Sequence, residues 1–193
     1  EFTHEQRSWT KHFDIKVGTG PAPQPQINLA SEKIFGVYRA RLSLSPARPV
    51  AGFETELVLD LARENVPVTD LKLLLGSEIH AAVWRLDGLY FGHTHSYTPH
   101  MAMMMATMHD RAKDAQTRAR LMSEMMVAMM DAPAQLIFSG PRVPVHYVFP
   151  EPGTYALFLH CAPGGKPQVF DFMVNVVAYE EGMNTRIESL VRA

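Results

Sequence analysis

The chain has 193 residues, 47% of them apolar, and a formal net charge of -2. That length allows one domain with an excursion, or two small ones, around a core that needs no covalent staples. The charge leaves no electrostatic footprint for nucleic acid and no basic block for a membrane surface, no stretch approaches the ~20 apolar residues of a membrane span, and the lone Cys161 excludes an intrachain disulfide.

Residues 1–25 read as a polar N-terminal extension with one candidate strand around Phe13–Val17, ending in a breaker-rich linker from Gly18 to Pro25. From Ile34 the texture turns β. Tyr38, Ala40, Leu42 and Leu44 mark one face of a strand, and Phe35, Val37, Arg39 and Arg41 the other. A Pro46–Gly52 turn follows, then an alternating run over Phe53–Leu61 with Thr55, Leu57, Leu59 and Leu61 on one side. Asn65-Val66-Pro67 is the next turn. Ile79–Leu86 and Leu89–His93 read as two strands joined by Asp87-Gly88, a strong hairpin signal. Past the excursion described below, Val143–Phe149, Tyr155–His160 and Val169–Val177 are predicted strands separated by Pro150–Gly153 and Pro163–Gly165 turns. Short strands at this spacing predict an antiparallel β-sandwich over 26–179. A C-terminal tail occupies 180–193.

Between Pro99 and Pro133 the period changes. Ten of the twelve methionines lie between Met101 and Met130. Met101, Met104, Met105, Met108, Ala112, Ala115, Ala119, Met122, Met126 and Met129 follow spacings of three and four, so a Met-rich helical insertion is predicted over 99–133, as one long helix or a helical hairpin. The runs Met103-Met104-Met105 and Met125-Met126 put sulfur on more than one face of such a helix.

Two kinds of donor adjoin here. His93 and His95 alternate on an extended chain and share a face. With Asp87-Gly88 as the two loop residues, Leu86 opposes Leu89 and His80 opposes His95, while His93 lies diagonally from His80. His100 follows directly. Imidazole suits Cu(II) and zinc, and thioether selects Cu(I). The ordering therefore points to a copper site built from His80, His93, His95 and His100 for Cu(II), and from Met101, Met104, Met105, Met108, Met122, Met125, Met126 and Met129 for Cu(I). Zinc is the second metal the histidines fit. The competing reading treats the methionines as an adaptable docking surface for a protein partner or a second copy of the chain, with structural histidines. No G-x-S-x-G, P-loop or H-E-x-x-H motif is present, so no catalytic residue is assigned.

The ordered set Tyr38–Pro46, Pro49–Gly52, Pro67–Leu71, Leu75-Gly76 with His80, Asp87–Phe91 with His93-Thr94-His95, Phe149–Tyr155 and Gly164–Lys166 resembles bacterial extracytoplasmic immunoglobulin-like or cupredoxin-like domains linked to copper handling. Such domains often read Gly-x-x-x-His, then His-x-His-Pro, then Phe-x-x-Pro-Gly-x-Tyr. The likeness covers roughly 36–98 and 143–177, and it implies a sandwich carrying His80, His93 and His95 as a metal cluster. Ser96 stands where the family often has Pro, and the Met-rich insertion departs from the pattern. No His follows Cys161 at close spacing, which argues against a blue-copper centre. The implied role is copper uptake, transport or resistance by a periplasmic or extracellular protein whose signal peptide has been removed. Its expected partners are the metal ion and a copper-donor or acceptor protein, with a homodimer or a membrane-protein partner as further expectations.

Overall fold

The computed structural model describes residues 26–96 and 136–179, together with the backbone of 2–4 and 7–9. Among the described residues the chain forms twelve strands: β1 (Phe2–His4), β2 (Arg7–Trp9), β3 (Glu32–Phe35), β4 (Tyr38–Ser45), β5 (Glu54–Arg63), β6 (Val66–Pro67), β7 (Leu71–Lys72), β8 (His80–Arg85), β9 (Phe91–His95), β10 (Arg142–Val148), β11 (Gly153–Pro163) and β12 (Gln168–Val176). By packing, the chain divides into two compact units, Glu1–Gln26 with Thr98–Pro133 and Ile27–Tyr97 with Ala134–Ala193. In the first, β1 and β2 pair as an antiparallel hairpin that the sequence reading did not anticipate. The candidate strand at Phe13–Val17 lies outside the described residues.

The second unit is built from two antiparallel sheets. One runs β10-β5-β4-β3 with β6 on β5, and the other runs β12-β11-β8-β9 with β7 on β11. Alternation drives both. Tyr38, Ala40 and Leu42 of β4 are buried while Arg39 and Arg41 are exposed, and Leu57, Leu59 and Leu61 of β5 are buried together. These faces share a single core with Ala81 and Val83 of β8, Leu157 and Leu159 of β11, and Phe170 and Phe172 of β12. Phe35 and Tyr38 meet Phe170 edge-on at ring-centroid distances of 5.2 and 5.8 Å. The Tyr155 hydroxyl donates to the Glu151 carbonyl at 2.8 Å, the tyrosine-corner arrangement of sandwich folds.

Two expectations need correction. The alternation from Phe35 to Leu44 predicts one strand; the structure has a hairpin there, with Phe35 opposing Tyr38 across a Gly36-Val37 turn. Gly36 adopts a φ of 61° there, which only glycine enters without a steric penalty. The fold class is also corrected. A sandwich with a Met-rich helical insertion was expected, but the described elements are strands throughout, making a β-rich, sandwich-like fold of two antiparallel sheets. Residues 99–133 lie outside the described residues. The physical reason is that spacings of three and four record only which positions would share a helical face. Helical stability comes mainly from packing that face, and the described core is filled from strands and the segments that join them.

Candidate metal centre

The β8–β9 hairpin positions the three central residues. Asp87-Gly88 closes it: Gly88 has a φ of 76°, its N–H donates to the Arg85 carbonyl at 2.9 Å, and Asp87 Oδ1 accepts from the Leu89 N–H at 3.0 Å. Arg85, and then that N–H, hold the Asp87 carboxyl below its ordinary range. The resulting register opposes His80 to His95, Ala82 to His93 and Trp84 to Phe91, as the two-residue loop requires. Ala81 and Val83 point into the core, so His80, Ala82 and Trp84 take the outer face, and His93 and His95 share it.

The three imidazoles converge. The His80 and His95 rings lie 4.4 Å apart at 87°, His93 and His95 lie 4.4 Å apart at 85°, and His80 and His93 stack at 5.6 Å. One ring nitrogen from each falls within 4.8 Å of the others. His80 and His95 are half-buried and His93 is exposed. Burial pushes the His95 imidazole down to about 4, and the neighbouring His93 and His80 rings push it the same way. At neutral pH His95 is therefore an uncharged imidazole, which would coordinate an ion without first losing the imidazolium proton.

Outer-shell groups orient this cluster. Leu74 and Ser77 exchange backbone hydrogen bonds around Leu75-Gly76, both at positive φ, and the turn directs the Leu74 carbonyl at His80. A carbonyl only accepts, so His80 Nε2 donates to it, at 2.6 Å, leaving Nδ1 as the nitrogen available to an ion. Behind the hairpin, Glu78 is 3% exposed. One of its carboxylate oxygens accepts from Ser96 Oγ at 2.6 Å, and the other from the Ile137 and Phe138 N–H groups at 2.6 and 3.2 Å. The Ser96 N–H donates to the Ile79 carbonyl and continues the ladder past His95. Sequence reasoning missed Glu78, since no motif marks an acid whose partners lie 18 and 59 residues away.

The remaining predicted donors, and three further residues of donor type, stand as follows. His100, Met101, Met104, Met105, Met108, Met122, Met125, Met126 and Met129 lie outside the described residues. His146 pairs with Glu54 at 3.1 Å, and Asp171 with Lys33 at 2.9 Å. Cys161 is buried in the core, on the face of β11 opposite His160, and burial pushes its thiol up to about 12. It is thus neither a thiolate nor within the histidines' space, and it behaves as a small core hydrophobe. Three nitrogen donors with an open side match a cation of borderline softness.

Comparison with known proteins adds the following. Residues 35–178 match the family model described as Domain of unknown function (DUF8832). No curated protein matches. Among solved structures, the PmoD soluble domain from Methylocystis sp. (Rockwell) is similar at 14% identity and a TM-score of 0.37, over 75% of this chain and 95% of that one. A likeness of that size carries no functional argument, so the functional reading rests on this chain's own geometry.

Proposed function

We propose that this chain, which belongs to the Domain of unknown function (DUF8832) family, binds copper without catalysing a reaction and serves copper uptake, transport or resistance outside the cytoplasm. One observation carries the reading: His80, His93 and His95 offer one ring nitrogen each within 4.8 Å. The fixed His80 ring and the uncharged His95 add to it, because metal ligands need a set orientation and a lone pair without a proton. In this reading the cluster takes Cu(II), and the methionines between 101 and 130 take Cu(I). Neighbouring donors of opposite softness suit uptake and hand-off rather than permanent storage. The extracytoplasmic location is supported by the sequence resemblance alone.

Two titrations test it. Cu(II) binding, measured by competition with a chelator, is expected in the intact chain and lost in His93→Ala and His95→Ala; retention in both variants would sink the histidine site. Anaerobic Cu(I) titration should show tight binding that disappears when the methionines of 101–130 become leucine. Equal, weak binding by both forms would instead favour a docking role for that segment. Zinc in place of copper during the first titration tests whether the histidines also hold zinc.

A further inference from the structure

The outer face of the second sheet carries another imidazole in line with the cluster. His160 of β11 is directly opposed to His80 of β8, which is in turn opposed to His95 of β9. Phe158 and His160 are the exposed positions of β11 in this stretch, whereas Leu159 and Cys161 are buried, so His160 shares the outer face with the trio. It stands outside the group whose ring nitrogens lie within 4.8 Å of one another.

We propose that His160 is the fourth nitrogen ligand of the site, swinging onto an ion held by His80, His93 and His95; this inference rests on the copper reading above. Three imidazoles leave one position open on a Cu(II) ion, whose preferred geometry is square-planar or tetragonal with nitrogen and oxygen donors. Directly opposed residues in an antiparallel pair have Cβ atoms about 4.5–5.5 Å apart, a span that two imidazoles close around one ion by side-chain rotation alone. His160 is exposed, so rotation breaks no core packing. The backbone register already supplies the proximity. Nearby, Cys161 offers no rival, since its side chain enters the core.

The test uses the full chain loaded with one equivalent of Cu(II), as wild type, His160→Ala and His95→Ala. Chelator competition gives the affinity, and electron paramagnetic resonance gives the number of coordinated nitrogens. The expected result is four nitrogens in the wild type and three in His160→Ala, with affinity reduced at least about tenfold, the lower end of what loss of an outer-shell partner alone costs. Circular dichroism should show His160→Ala folded, as expected for an exposed position. Binding that His160→Ala leaves unchanged in affinity and nitrogen count, while His95→Ala abolishes it, overturns this inference and spares the three-histidine site. Failure of the wild type to bind copper overturns both.

Discussion

His95 gives the cluster a pH signature independent of metal. Its pKa falls from 6.5 in the unfolded chain to about 4, because burial and the adjacent His93 and His80 rings disfavour the imidazolium. Between those values the unfolded chain binds more protons than the native one. Stability is therefore fully present above about pH 6.5 and declines as pH falls toward 4. Urea unfolding across that window should show the decline, and His95→Gln should flatten it; an unchanged slope would mean that His95 is not the group responsible. Gly92, one residue before His93, is a second sensitive position. Tyr90 and Tyr147 join hydroxyls over it, and a methyl group added there would meet the Tyr147 hydroxyl and stand 2.7 Å from that of Tyr90. Gly92→Ala is expected to cost about 1–3 kcal/mol by overpacking. Tyr147→Phe, which removes one obstructing oxygen, should recover part of that loss in the same unfolding assay.

Among the elements, the β8–β9 hairpin was the most legible in the sequence, because Asp87-Gly88 sets a two-residue loop and the loop sets the register. His80, His93 and His95 followed by counting. His160 did not. Opposing it to His80 requires knowing that β11 pairs with β8, and no local signal joins strands separated by some 70 residues. The β3–β4 hairpin was missed for a different reason. Gly36 interrupts an alternating run without disturbing the alternation, so the turn was hidden in what read as one strand. Glu78 is the element-level prediction. Removing its carboxylate leaves two part-buried backbone N–H groups without their acceptor, while Ser96 Oγ keeps Ser77 Oγ at 2.7 Å. Glu78→Ala should cost more than the ~1–3 kcal/mol of one unsatisfied group. It should also weaken copper binding with all three histidines intact, since Ser96 ends the strand that carries His95. Glu78→Gln, which keeps one oxygen, should fall between. Equal copper affinity in all three forms would separate the clamp from the site.

For the molecule as a whole, stability and site are built on opposite faces of one sheet. Leu157 is fully buried on β11, between β8 and β12. Leu157→Ala should cost about 2–5 kcal/mol through lost transfer energy and the cavity left behind. Below its unfolding midpoint, copper affinity should match wild type; a parallel loss would show that the outer face depends on core packing. The two-sheet core was readable from alternation, as at Leu57, Leu59 and Leu61, because a half-buried strand must alternate. A period of three and four over 99–133 had no such guarantee. Glu78 also bears on how this sequence can change over time. Ser96 and Ile137 flank the interval between β9 and β10, and both are tied to oxygens of the same carboxylate. The closure entropy of whatever joins them grows by only about 0.6 kcal/mol per doubling of length. A short Gly-Ser bridge in place of residues 98–135 should therefore leave a foldable sandwich, and a foreign segment spliced between the same two residues should be carried as readily. Such a result would mark the interval as a graft point, held at both ends by Glu78.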